Sequence, residues 1–187
     1  LGQQVLGGHG YVAEWGLEQN VRDARIAQIY EGANGIQALD LMGRKTVRSN
    51  GELLKVLVAQ MDEFIHEQQS VPAMQPYLEI FIDSKQRLVD TTATIISKAT
   101  DAPDEIGAAS YAYMELMGLT LYCFMWQRIL AAGLMAQEAG SGDQEYLDGL
   151  IKTGEFFLCR MLPRSKSLVE EIAAGATAIM AMSAEQF

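Results

Sequence analysis

One carboxylate and one glycine cluster hold the chemistry that this sequence could carry. Glu31 stands in the run Ile29-Tyr30-Glu31-Gly32, between bulky apolar residues and a glycine. A carboxylate partly withdrawn from water holds its proton more tightly, which moves a glutamate toward the range useful for proton abstraction. Upstream lies Gln4-Val5-Leu6-Gly7-Gly8-His9-Gly10-Tyr11, a glycine-rich turn. Glycines let a backbone approach a bound cofactor closely. Together the two segments could offer one base to a substrate and one bare stretch of main chain to a cofactor.

Other chemical candidates are weaker. A lone glutamate at a helix end is most often solvated or a cap, so Glu31 draws its interest from context. His9 and His66 have no serine, cysteine or second histidine at a triad or ligand spacing, and read as structural or surface residues. Asp62-Glu63 and Glu170-Glu171 are adjacent pairs that point to different helix azimuths, so they read as solvated faces. The methionines at 114, 117, 125, 135, 161, 180 and 182 read as core filler. Cys123 and Cys159 read as reduced core thiols, too few for a disulfide framework or a zinc site, and no metal site is expected.

These residues need elements to position them, and the pattern throughout is helical. Ala, Leu, Met, Glu and Gln are abundant and prolines are few, which predicts an all-α fold. Glycines 7, 8 and 10 should break any helix ending near Leu6. Glu18 to Tyr30 reads as a helix with Val21, Ala24, Ile26 and Ile29 as its apolar stripe. Asn34 is expected to cap a second helix running through Ile36, Leu39, Leu41 and Met42. That puts Glu31 at a helix–helix junction. Ser49-Asn50-Gly51-Glu52 is a turn signal and the expected boundary between residues 1–49 and 50–187.

Beyond the boundary the chain reads as a bundle. Leu54, Leu57, Val58, Met61 and Ile65 keep helical spacing until Val71-Pro72. Further helices are predicted over Tyr77 to Lys98, Glu105 to Ala139, Gln144 to Met161, and from Pro163 to Met182. The small residues Ala173, Ala174, Gly175, Ala176 and Ala178 mark either a tight seam or an oligomer contact, the seam being the commoner case.

Composition limits the function classes. With 187 residues and 49% hydrophobic content the chain can bury a real core. A net charge of −10 argues against nucleic acid and against anionic membrane surfaces as partners. The run Leu116 to Trp126 is too short to span a bilayer and is flanked by Glu115, Gln127 and Arg128, so no membrane insertion is expected. The chain opens on Leu1, mid-pattern, which suggests a piece of a longer protein; a cytoplasmic location is expected.

Three blocks then carry a resemblance: Q-V-L-G-G-H-G-Y at 4–11, R-D-A-R-I-A-Q-I-Y-E-G at 22–32, and I-Q-A-L-D-L-M-G-R at 36–44. In this order and spacing they resemble the C-terminal part of acyl-CoA dehydrogenases, over about a quarter of the chain. The resemblance implies an FAD enzyme that oxidises acyl-CoA thioesters to trans-2-enoyl-CoA. Glu31 would remove the α-proton while the β-hydrogen leaves as hydride to flavin, and its backbone N–H would help polarise the thioester carbonyl. Gly32 would leave space for substrate. Gln4, Gly7 and Gly8 would approach the FAD of a neighbouring subunit, which implies a homo-oligomer, dimer or tetramer. Ala33 and Gly35 fall on further cofactor-contacting positions; many members carry threonine where Ala33 stands, so one hydroxyl donor is missing. The bundle and the closing Ser183-Ala184-Glu185-Gln186-Phe187 look like the extra C-terminal domain of a longer subgroup that includes 3-methylmercaptopropionyl-CoA dehydrogenases. An electron-transfer flavoprotein is the acceptor such enzymes imply. By this reading the 187 residues alone are inactive. The alternative is a non-catalytic helical interaction or oligomerisation module.

Overall fold

A computed structural model describes residues 1–30 and 32–186 and resolves them into helices and turns, with no strand among them. The all-α expectation holds. Glu31 and Phe187 lie outside the described residues. The chain divides into two compact units, Leu1–Ala38 and Leu39–Phe187.

The first unit is built from short pieces. Helical turns α1 (Gly2–Val5) and α2 (Gly8–Tyr11) flank Gly7, which takes φ +56°. That left-handed value costs glycine little and other residues more, so Gly7 makes the corner. Gly8 and Gly10, expected as breakers, instead lie within α2: at a helix start a glycine costs propensity but clashes with nothing. α3 covers Leu17–Ile26. It stops before the expected Tyr30, because Gln28 and Ile29 close back onto Arg25 and Ile26 with i→i−3 bonds of 3.1 and 3.0 Å, a tightened final turn. α4 spans Asn34–Leu39, and the carbonyl of Ala33 takes the amides of Ile36 and Gln37. Asn34, the expected cap, is thus already inside the helix.

The second unit is a bundle. A π-helical stretch, Asp40–Val47, leads to α5 (Glu52–Gln68), α6 (Gln75–Ala99), α7 (Asp104–Glu138), α8 (Gln144–Phe156) and α9 (Arg164–Ala174). Asp143 caps α8, its carboxylate accepting from the amides of Glu145 and Tyr146 at 3.0 and 3.1 Å. After Phe156 the chain does not stay α-helical to Met161: Phe157–Met161 is a π turn, closed by Leu162 N–H donating to the Phe157 carbonyl at 3.0 Å. The wider turn changes the helical phase, so Phe157, Leu158 and Leu162 face inward and Cys159 faces solvent. Cys159 is therefore not the core thiol expected; Cys123 is. α9 ends at Ala174, well short of Met182, because Gly175 takes φ +70° and ψ −168°.

α7 is the hub, packed on α6, α8 and α9. Among the described residues it is long and apolar enough to cross a membrane by length and composition, at a hydropathy of 1.3. In this fold it packs on α6, α8 and α9, while Tyr111, Tyr122, Met125, Ile129 and Met135 stay exposed. Two apolar clusters fill the bundle. One gathers Met61, Phe64, Phe81, Phe124 and Leu130, with the Phe81 and Phe124 rings stacked at 5.4 Å. The other gathers Met42, Leu88, Ile95, Tyr113 and Leu116. Between their α6 and α7 members lies a buried polar step, where Ser84 Oγ donates to Thr120 Oγ1 at 3.4 Å. The methionines that fill the core are Met42, Met61 and Met74. Met125, Met135, Met161, Met180 and Met182 are exposed, contrary to expectation: they sit on outward helix faces or beyond α9.

Candidate functional site

The first unit carries every residue that the sequence assigned to cofactor or substrate. Gln4 sits on α1, and α1 packs on α3. Between the two lies an open cleft of about 600 Å³. Gln4 from α1, Asn20 and Arg25 from α3 and Gln28 from the turn after it line the cleft with polar groups, and Leu17 and Val21 with apolar ones. The α3 members recur at helical spacing, so this wall was readable as one face of a helix. Asn20, Arg25 and Gln28 were nonetheless missed, because polar residues on a short helix look like any solvated face.

Charged side chains of α3 have partners close by along the chain. Arg22 bridges to Glu18 one turn back, and Gln19 Nε2 donates to Asp23 at 2.8 Å. Arg25 Nη1 donates to Gln28 Oε1 at 2.7 Å, which holds the guanidinium beside the cleft.

Gly7 and Gly8 lie off the cleft, at the corner between α1 and α2. A Cβ at either would meet nothing within 4 Å, and the same is true of Gly35. Their main chain is open to a flat, polar group, so the residue types and the space around them fit an approach by FAD. Gly32 takes φ +96°, with the Gln37 amide 3.0 Å from where its Cβ would stand. Ala33 offers a methyl at the entry to α4. Glu31 lies outside the described residues. Its described neighbours Ile29 and Tyr30 are 54% and 64% exposed.

One structural residue of the site escaped the sequence reading. Gly10 is the buried member of α2, and a Cβ there would stand 2.2 Å from the Gln3 carbonyl oxygen. α1 and α2 therefore meet backbone to backbone at Gly10. Nothing in G-G-H-G distinguishes this glycine from the two beside it. His9 packs edge-on to Trp15 at 5.4 Å, and His66 Nδ1 pairs with Gln69 at 2.9 Å.

Comparison with known proteins places these features. A family described as "Acetyl-CoA dehydrogenase C-terminal like" matches residues 57–183. A second, "Acyl-CoA dehydrogenase, C-terminal domain", matches residues 2–45. The chain belongs to the acyl-CoA dehydrogenase family. The first matched segment holds Gly7, Gly8, Gly32 and Gly35, and the second holds most of the bundle. The broad-specificity linear acyl-CoA dehydrogenase of Mycobacterium tuberculosis is 28% identical over 177 residues, 90% of this chain and 29% of that protein. The 3-methylmercaptopropionyl-CoA dehydrogenase of Ruegeria pomeroyi is 31% identical over 164 residues, 87% of this chain and 28% of that protein. A butyryl-CoA dehydrogenase of Syntrophomonas wolfei is 27% identical over 188 residues, 98% of this chain and 30% of that protein. The chain thus spans less than a third of the length of these acyl-CoA dehydrogenases.

Proposed function

We propose that these 187 residues form the carboxy-terminal part of an FAD-dependent acyl-CoA dehydrogenase and are inactive alone. The observation that carries this reading is the co-occurrence, in order, of the two family segments with Y-E-G inside the first. Bound FAD would supply the hydride-accepting chemistry. Gln4, Gly7 and Gly8 would approach the FAD of a neighbouring subunit through one side-chain amide and bare main chain, and Ala33 and Gly35 would contact the cofactor through main chain. Glu31 would take the α-proton of the acyl-CoA, and its N–H would donate to the thioester carbonyl as negative charge develops there. Gly32 would leave room for the acyl group. Ala33 contributes no hydroxyl, so the cofactor contact at that point reduces to main chain.

The same reading includes a cytoplasmic location and an electron-transfer flavoprotein as acceptor. The relatives' names span linear, butyryl and 3-methylmercaptopropionyl thioesters, which supports an acyl-CoA thioester as substrate. A rival reading, a helical interaction module, draws on the self-contained core of the second unit.

The test is Glu31→Gln in the longer protein that carries this chain, assayed for acyl-CoA oxidation with an artificial electron acceptor. Loss of a general base should cost about a hundredfold or more in turnover. Near-normal turnover, with fold and FAD content intact, overturns the assignment. If the longer protein binds no FAD and only self-associates, the module reading takes its place.

A further inference from the structure

We propose that the tail after α9, residues 175–186, is a strap latched to the bundle by a single carboxylate, Glu105, and that it releases as a unit. The latch lies where three helix ends meet. Glu105 Oε1, in the first turn of α7, accepts from the main-chain N–H of Ala176 at 3.0 Å. Lys98, at the end of α6, donates to the Ala173 carbonyl at 3.4 Å and stands 4.0 Å from Glu105 Oε2. The carboxylate and its lysine therefore grip the chain on both sides of Gly175.

Gly175 makes that grip fit. Its φ of +70° turns the chain out of α9, and a Cβ there would stand 2.8 Å from Glu105 Oε1. Only a glycine satisfies both the turn and the approach.

Beyond the latch little else holds the tail. Ala176 is buried, while Ile179, Met180 and Met182 are 64%, 60% and 51% exposed. The Met180 amide returns to the Ala176 carbonyl at 2.9 Å, a bond inside the tail and not to the bundle. A segment with, among the described residues, one buried side chain and one strong external hydrogen bond sits at the low-stability end of a fold and opens locally. Under it runs a groove of about 480 Å³, walled by Pro103, Ile106 and Gly107 on one side and by Ala176, Ile179 and Met180 on the other. Release of the strap opens that groove along the start of α7.

Amide hydrogen exchange on the longer protein that carries this chain tests the proposal, read at the Ala176 and Met180 amides and across α5 to α9. Glu105→Leu and Gly175→Ala should each speed exchange in the tail about tenfold or more, the scale of losing one charge-assisted hydrogen bond. Residues 52–172 should keep their wild-type protection. Glu105→Gln, which retains a carbonyl acceptor for Ala176, should fall between. Unchanged tail exchange in Glu105→Leu overturns the latch, as does a wild-type tail that already exchanges at the unprotected rate. Protection lost throughout α6, α7 and α9 overturns it in a different way, making Glu105 a support of the whole bundle.

Discussion

At the scale of single residues, the two cysteines make the sharpest contrast. Cys123 is buried among α6 and α7 side chains, and burial pushes its thiol up to about 12. Cys159 is exposed on the π turn after α8. The thiolate is the reactive form, so a buried, protonated thiol is inert. Iodoacetamide at pH 8 should therefore label Cys159 and spare Cys123, with the second label appearing only on denaturation. Equal labelling of both by mass spectrometry would contradict the packing around α7. The sequence could not separate these thiols, since both lie in apolar runs; what separates them is a phase shift of the helix, which apolar periodicity does not report. The site residues show the opposite case. Y-E-G and G-G-H-G were legible as motifs because their types are rare together, whereas the need for glycine at Gly10, where a Cβ would run into the Gln3 carbonyl, depends on how α1 meets α2.

At the scale of elements, α8 shows how one substitution changes sign with position. Gly149 lies on its outer face, where a Cβ would meet nothing within 4 Å. Gly154 faces α7, where a Cβ would stand 3.0 Å from Leu130 Cδ2 and 3.0 Å from Trp126 Cε3. Gly149→Ala gains helix propensity and should stabilise by about 0.5–1 kcal/mol. Gly154→Ala gains the same propensity but forces Leu130 and the Trp126 ring aside, an overpacking cost of about 1–3 kcal/mol. Urea unfolding should place the two variants on opposite sides of wild type; equal stabilisation would mean that the α7–α8 contact is looser than described. Helix positions were well marked in the sequence, because Val71-Pro72, Ala102-Pro103 and Gly140 to Asp143 are breaks with a local cause. Ends set by tertiary contact were not. α9 stops at Gly175, which reads in sequence as one more small residue in an alanine-rich run, because Glu105 and Lys98 hold the turn from other helices.

At the scale of the whole molecule, three acids held in their protonated form contribute to how the bundle responds to pH. Burial raises Cys123 to about 12 from 9.0, and burial with the Glu155 hydrogen bond raises Tyr77 to about 12 from 10.0. Burial also raises Tyr113, against the Thr92 hydroxyl 2.8 Å away. All three groups are neutral when protonated and charged when not. Above pH 9 the unfolded chain begins to release protons that the folded chain still holds, so raising the pH favours unfolding. Their contribution is complete below about pH 9 and is lost progressively toward pH 12. These residues tie α6 to α7 and α8, the contacts that define the second unit. The loss should therefore appear as a cooperative fall of the urea midpoint, with no early release of one helix. Cys123→Ala removes the earliest of these ionisations. Its midpoint should start lower, because a buried side chain has been cut back, yet fall less steeply between pH 9 and 10.5 than that of wild type. Parallel falls in the two proteins would show that the thiol does not couple folding to pH.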